Sequence, residues 1–157
     1  MILHAKGARA QTALHPVFKE QIQPNAVELT AGHIFEILPG EFVLDKDKKI
    51  HLQRSEMLPA KDGYFHLNGG SYLVEFEQRV MMGPKEAAIV ISRSTLMRNG
   101  VQLTSALYDS GYYGSMTALL TIPEGVTFVF PAGERLAQFV VFEAEALSLY
   151  NGSYQGK

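Results

Sequence analysis

The sequence contains no cysteine among its 157 residues. A disulfide framework and a thiolate metal site are therefore excluded, and the absence of thiols fits a reducing compartment, so we expect a cytoplasmic protein. Its five histidines do not stand at metal-ligand spacing. The pattern of the zinc-dependent deaminases, a histidine or cysteine followed by a cysteine pair, is likewise absent.

Strong charge and long apolar runs are also missing. The formal net charge is −2 and charged residues make up 19% of the chain, so we expect no nucleic-acid partner and no membrane surface. No apolar run approaches the roughly 20 residues that a membrane helix needs. The first ten residues, MILHAKGARA, lack the apolar centre and cleavage site of a signal peptide.

What the chain does have is a series of short β-rich runs separated by Gly, Pro and Asn turns. The runs include AVELTA, HIFEIL, SYLVEFEQRV, AAIVIS, SMTALLTI and LAQFVVFEA. Many short strands at nearly regular spacing predict an all-β barrel or jelly-roll sandwich. Helix is expected only before Pro24, in GARAQTALHPVFKEQ, where Pro16 interrupts it. We expect one all-β domain over residues 1–150 and a flexible arm over residues 151–157.

Two polar segments follow apolar strands and contain groups suited to a ligand. SRSTLMRNG places Arg93 directly after a buried-looking strand, where a planar guanidinium, hydroxyls and backbone N–H groups can face one anion. LYDSGYYG places Asp109 and Tyr112 three apart in a glycine-containing turn. A carboxylate there can orient a water, and a tyrosine ring can stack on a sugar or base. Each segment taken alone also fits an ordinary cap or tight turn.

A third segment, GERLAQFVVF, places Gln138 on a strand that is otherwise apolar. A buried amide without a partner is costly, so Gln138 predicts either a satisfied core hydrogen bond or a ligand contact.

Together, these segments resemble the motifs of the trimeric dUTPase and dCTP deaminase superfamily, in the same order and at consistent spacing. The matching stretches are QPNAVELTAG (23–32), SRSTLMRNGV (92–101), SALYDSGYYG (105–114), GERLAQFVVF (133–142) and the tail YNGSYQGK (150–157). The resemblance covers most of the chain from Gln21 onward. It implies a distorted jelly-roll or β-clip barrel that assembles as a homotrimer, with active sites at the subunit interfaces.

The resemblance also implies roles for individual residues in binding and hydrolysing dUTP with Mg²⁺. Arg93 would act in catalysis on the triphosphate, and Asp109 would position the attacking water and contact the sugar 3′-hydroxyl. Glu28, where the family usually has Asp, would help organise the Mg²⁺-bound triphosphate through water or phosphate. The remaining substrate-binding residues implied by the resemblance are Ser94, Thr95, Arg98, Leu103 on the base-reading strand, Tyr112, Gln138, Tyr154 and Gln155.

One position bears on the choice between hydrolase and deaminase. The deaminases of this superfamily carry a catalytic Glu ten residues after the motif's Asp, and that position here is Leu119. A leucine cannot relay protons, so the sequence favours hydrolysis of dUTP to dUMP and pyrophosphate. The alternatives are a dCTP deaminase, or a bifunctional deaminase and dUTP pyrophosphatase, with its acid–base residue supplied by Glu75 or Glu77, and a non-catalytic nucleotide-binding relative. The glycine-rich fifth motif of dUTPases is missing.

Overall fold

The protein is described here by a computed structural model that covers all 157 residues. It has one α-helix, α1 (Ser94–Arg98), and one 3₁₀ turn, Lys19–Gln21. The strands are β1 (Ile2–Leu3), β2 (Ala13–His15), β3 (Val27–Glu36), β4 (Val43–Leu44), β5 (Lys49–Ile50), β6 (Tyr64–Met81), β7 (Glu86–Ser92), β8 (Gln102–Thr104), β9 (Tyr113–Pro131) and β10 (Arg135–Glu143). None of the helices is long and apolar enough to span a membrane.

Six strands close into a barrel, which confirms the predicted all-β class. The order around the barrel is β3, β6, β9, β8, β7 and β10, and β10 pairs with both β7 and β3 to complete the ring. All six pairings between these strands are antiparallel, as expected for strands joined by short turns. Closure removes the unpaired edges that an open sheet would expose.

Strand β6 illustrates why the sequence folds this way. In SYLVEFEQRV every second side chain is buried: the apolar Tyr72, Val74, Phe76 and Val80, and the polar Gln78. Successive side chains of a strand point to opposite faces, so Glu75 and the other intervening polar residues face outward. The two-residue period therefore sets which charged groups line the outside of the barrel.

The helix expected before Pro24 is wrong. The segment instead forms β2, which pairs with the end of β6, and the 3₁₀ turn. Pro16 removes a backbone donor immediately after β2, and the free edge of β6 offers main-chain partners that a broken helix lacks. Tertiary pairing therefore decided the conformation of this segment.

A buried carboxylate holds the N-terminal segment to the barrel. Glu86 is 3% exposed and accepts hydrogen bonds from the backbone N–H groups of Gln11 and Thr12, each at 2.7 Å. The Thr12 hydroxyl donates to the same carboxylate at 2.5 Å. Three hydrogen-bond donors compensate the desolvation of this carboxylate. The contact joins residues more than 70 positions apart in sequence.

Candidate functional site

Arg93 lies where β7 ends and α1 begins, and three acidic or main-chain groups hold its guanidinium. Its Nε is 2.8 Å from Oε1 of Glu28, and its Nη1 donates to the main-chain oxygen of Arg135 at 2.6 Å and to Oε1 of Glu134 at 3.2 Å. The Nη2 amino group makes no hydrogen bond within the chain, so its donors are free for a ligand.

Glu28 is the buried centre of this ionic cluster. Its side chain is 6% exposed, and Oε2 lies 2.9 Å from Nη1 of Arg135, although without hydrogen-bond geometry. Two guanidiniums therefore share one carboxylate, and Glu134 adds a second negative charge beside Arg93. The four formal charges cancel, so the cluster has no net positive charge. Its ion pairs instead stabilise the orientation of both arginines.

The other residues predicted near the phosphates surround this cluster. Ser94 and Thr95 form the exposed first turn of α1, and Arg98 is exposed in its last turn. Gln138 lies opposite Glu28 in the pairing of β10 with β3, on the outer face of the barrel. The structure therefore brings Arg93, Glu28 and Gln138 together.

Asp109 lies in the turn between β8 and β9. The N–H of Tyr112 donates to the main-chain oxygen of Asp109 at 3.1 Å, and Gly111 has φ of 79°, which closes the turn. The Ser110 hydroxyl donates to the main-chain oxygen of Glu86 at 2.8 Å and fixes the turn to the start of β7. The Asp109 side chain is exposed and takes part in none of the ion pairs.

A cluster of tyrosines supports this turn. The Tyr112 ring packs edge-on against Tyr150, with centroids 5.4 Å apart, and at a tilt against Tyr108, with centroids 5.6 Å apart. Its hydroxyl donates to the main-chain oxygen of Ser115. The Tyr108 hydroxyl donates to the main-chain oxygen of Thr117 and accepts from its N–H. Burial, more than any neighbouring charge, raises the pKa of both Tyr108 and Tyr112, so both are neutral hydrogen-bonding groups at neutral pH.

Asp109 and Tyr112 line a cleft of about 530 Å³. This cleft, called the Asp109 cleft below, has walls from β6, β9 and the C-terminal segment. Its other lining residues are Arg54, Leu73, Glu75, Ala106, Leu107, Tyr108, Ser115, Thr117, Tyr150, Tyr154 and Lys157. The combination of a free carboxylate, hydroxyls and aromatic rings suits a sugar or nucleoside.

The ionic cluster and the Asp109 cleft are separate within one chain. None of Glu28, Arg93 and Arg135 lines the cleft. Tyr108 pairs with Ala88 near the start of β7, whereas Arg93 follows the end of that strand. Five residues at about 3.3 Å each put the two regions on the order of 15 Å apart.

Leu103 is buried in the core, whereas Tyr154 and Gln155 of the C-terminal segment lie at the Asp109 cleft and its turn. The Leu103 side chain is 3% exposed in the core, and its N–H and main-chain oxygen both bond to the Ser92 hydroxyl. No group of Leu103 is therefore left for a substrate, and the predicted contact does not fit this placement. Tyr154 lines the Asp109 cleft, and the Gln155 side chain bonds to the turn that carries Asp109.

The alternative acid–base residues are distinguished by position. Leu119 is 39% exposed on β9 and pairs with Leu73, so no carboxylate occupies that position or its partner on β6. Glu75 pairs with Thr117, two residues from Leu119, and lines the Asp109 cleft. Glu77 does not line the cleft.

Sequence reasoning missed several groups of both regions. The Glu134 carboxylate and the main-chain oxygen of Arg135 hold Arg93; the sequence singles out Arg135 without giving it this role, and the GER triplet at which β10 begins was a signal for both. Tyr150 supports Tyr112 from a segment with no strand or helix, and no local pattern could have paired residues 38 positions apart.

Comparisons with known proteins identify the family of this chain. Residues 2–144 match the family model described as dCTP deaminase-like. A probable deoxyuridine 5′-triphosphate nucleotidohydrolase of Halobacterium salinarum is 31% identical over 98% of this chain and 94% of its own length. One of the same name from Aeropyrum pernix is 32% identical over 87% of this chain and 86% of its own.

A solved structure gives the same fold. The 2′-deoxycytidine 5′-triphosphate deaminase of Agrobacterium tumefaciens superposes on 83% of this chain with a TM-score of 0.61 at 17% identity. The match spans only 42% of that deaminase chain, so this likeness concerns the fold alone. From the family match and the identity to the two archaeal relatives, the chain belongs to the dCTP deaminase-like family.

Proposed function

We propose that this protein hydrolyses dUTP to dUMP and pyrophosphate. The observation that carries the proposal is the free Asp109 carboxylate in a cleft beside Tyr112. Two archaeal relatives that align with nearly the whole chain are named as probable dUTP hydrolases. Leu119 stands where a deaminase of this family would need a proton-transferring carboxylate, which favours cleavage of the phosphoanhydride over deamination.

The proposed roles follow from the chemistry of each group. Asp109 accepts a hydrogen bond from a water and orients it toward the α-phosphorus, and Tyr112 packs on the deoxyribose. The free Nη2 of Arg93 donates to phosphate oxygens as negative charge develops on them. The Glu28 carboxylate keeps the Arg93 guanidinium in the required orientation.

The side chains fit a magnesium ion that arrives with the triphosphate. No three His, Asp or Glu side chains lie close enough to hold a metal by themselves. Mg²⁺ in nucleotide enzymes commonly binds through one or two carboxylates and the substrate phosphates, which asks little of the protein. Glu28 already faces two arginines and is not free as a direct ligand, so the substrate phosphates would hold the ion and Glu28 would act on it only indirectly, through water or the phosphates. When bound, the metal neutralises charge on the phosphates.

We further propose that the active site forms between chains of a homotrimer. The Asp109 cleft and Arg93 of one chain lie at opposite ends of β7, on the order of 15 Å apart, and Arg93 does not line the cleft, which supports a site that one chain does not complete alone. A neighbouring copy that presents its Arg93 cluster to the Asp109 cleft would complete the site. The absence of cysteine supports a cytoplasmic location for this assembly.

One assay tests the activity directly. The purified protein is incubated with dUTP or dCTP and Mg²⁺, and pyrophosphate and ammonia are measured separately. Pyrophosphate from dUTP without ammonia is the expected result. No release of either product from either nucleotide would contradict the proposal.

A subunit-mixing experiment tests the shared site. Asp109→Asn and Arg93→Ala chains are each expected to be inactive, but mixed after reversible dissociation they should regain part of the activity. Recovery is expected because some interfaces then combine an intact Asp109 from one chain with an intact Arg93 from another. If the mixture stays inactive although sedimentation shows mixed trimers, the two residues do not act across an interface.

Deamination of dCTP is kept as a second candidate because of one observation. Glu75 places a carboxylate in the Asp109 cleft, next to Thr117 and near the Leu119 position. Ammonia release from dCTP that disappears in Glu75→Gln and persists in Glu77→Gln would establish this activity.

A further inference from the structure

We infer that Gln155 is a positioning residue that clamps the catalytic turn from outside, before any nucleotide binds. Its amide bridges two main-chain groups of the turn that follows Asp109. Nε2 donates to the main-chain oxygen of Gly111 at 3.0 Å, and Oε1 accepts from the N–H of Tyr113 at 3.2 Å. One side chain thus satisfies both groups on either side of Tyr112.

The clamp is part of a longer contact between the C-terminal segment and this turn. The N–H of Tyr150 donates to the main-chain oxygen of Ser110, and the N–H of Gly156 donates to that of Tyr113. The N–H of Ser115 donates to the main-chain oxygen of Lys157 at 2.6 Å. The segment therefore pairs, strand-like, with the beginning of β9, on the edge that faces away from β6.

Two glycines make this close approach possible. A Cβ on Gly114 would lie 2.6 Å from the main-chain oxygen of Lys157. A Cβ on Gly156, whose φ is 77°, would lie 2.8 Å from the Tyr113 hydroxyl. Glycine on both partners therefore fits a built contact, because any larger residue at either position would push the two segments apart.

The consequence concerns the orientation of Asp109 and Tyr112. Their turn contains Gly111 and Gly114, and a glycine backbone can adopt more conformations than that of any other residue. Holding Gly111 and Tyr113 restricts the peptides next to Tyr112, so the carboxylate and the ring face the cleft together. A misplacement of about 1 Å in such groups can cost as much as a hundredfold in rate.

This role differs from the substrate contact that the resemblance implies for Gln155. Both the oxygen and the nitrogen of the side-chain amide are already hydrogen-bonded to the main chain in the absence of nucleotide. A residue that only bound phosphate would leave the turn unchanged when replaced in the free protein. The two roles therefore differ in the nucleotide-free state.

Amide hydrogen exchange of the nucleotide-free full chain decides between them. In Gln155→Ala, exchange of the Tyr113 amide should accelerate on the order of tenfold, since two hydrogen bonds of the docked state are lost. Gln155→Glu should also accelerate it, because a carboxylate oxygen would face the Gly111 carbonyl in place of a donor. The control Ser153→Ala, at an exposed side chain two residues away, should leave the exchange unchanged. Unaltered Tyr113 exchange in both Gln155 variants would overturn the clamp.

A kinetic measurement tests the consequence and rests on the proposed dUTP hydrolysis. Gln155→Ala should lower kcat/KM for dUTP on the order of tenfold while the melting temperature stays that of the wild type. If Gln155→Ala kept the wild-type kcat/KM although its Tyr113 amide exchanged faster, the contact would have no positioning role and the inference would be overturned. If the wild-type chain does not hydrolyse dUTP, the proposed function fails, whereas the exchange experiment still decides whether Gln155 clamps the turn.

Discussion

At the scale of single residues, the two carboxylates of the proposed site differ in their surroundings. Asp109 is exposed and unpaired, which leaves both oxygens for a water or a sugar hydroxyl. Glu28 is buried and faces two guanidiniums, so its proposed role is to orient Arg93. The proposed roles of Asp109 and Glu28 therefore differ because the groups around the two carboxylates differ.

Asp109→Asn should lower kcat for dUTP by a factor on the order of 10² to 10⁴ and leave nucleotide affinity nearly unchanged. The amide keeps the size of the side chain but is a poorer acceptor for the attacking water. Steady-state kinetics and calorimetric binding of a non-hydrolysable analogue measure the two quantities. Asp47→Asn, in the exposed β4–β5 turn, is the matched control. Full turnover in Asp109→Asn would remove this residue from the mechanism.

Glu28→Gln should destabilise the fold by about 2 kcal/mol, below the usual cost of breaking a buried pair, because both arginines are partly exposed and regain water. The same change should raise KM for dUTP, since Arg93 loses the group that orients it. Urea unfolding and steady-state kinetics provide the measurements. A variant with wild-type stability and KM would show that the cluster has neither role.

At the scale of elements, long-range hydrogen bonds attach irregular segments to the barrel. Glu86 attaches the N-terminal segment, and Gln155 attaches the C-terminal one. The Ser110 hydroxyl donates to the main-chain oxygen of Glu86, so the turn that contains Asp109, β7 and the N-terminal segment meet at one place. The turn is therefore supported by segments from both ends of the chain.

Glu86→Ala should lower the free energy of unfolding by about 3 kcal/mol, because the buried N–H of Thr12 and the N–H of Gln11 lose a charged acceptor. Its pairing partner Glu143 is exposed at the end of β10, and Glu143→Ala serves as the control with little expected effect. Chemical denaturation of both variants makes the comparison. Equal stability of the two variants would mean that the Glu86 contacts contribute nothing net.

At the scale of the whole molecule, buried tyrosines make the stability of the folded protein depend on pH in the alkaline range. Burial raises the pKa of Tyr72, Tyr108 and Tyr112 above the ordinary value of about 10. The folded protein therefore holds these protons more tightly than the unfolded chain does. The stabilisation is fully present below about pH 10 and is lost as the pH rises past the ordinary tyrosine pKa toward the raised values.

The melting temperature should accordingly fall as the pH rises above about 10. Tyr108→Phe should be less stable at pH 8, since two hydrogen bonds to Thr117 are lost, but should show a shallower alkaline decline. Tyr64→Phe, at a half-exposed ring, is the control and should keep the wild-type profile. An equally steep decline in Tyr108→Phe would contradict the assignment to this residue.

Local patterns determined the fold class and the turn that carries Asp109. Alternation in SYLVEFEQRV requires a half-buried strand whatever surrounds it, and Asp-Ser-Gly-Tyr favours a tight turn by backbone geometry alone. The ordered motifs also identified Arg93 and Glu28 as parts of one region. These properties depend on neighbours in sequence or on the spacing of short segments, and a sequence contains both.

Only the tertiary structure decided which distant segments meet. In the structure, part of the expected N-terminal helix is the strand β2, and Arg93 lies the length of β7 away from Asp109. The Gln155 side chain bonds to the turn that follows Asp109. The tertiary structure also placed Glu75, and not Glu77, in the Asp109 cleft. The physical reason is that these contacts depend on barrel closure and strand register, which a short window of sequence does not contain.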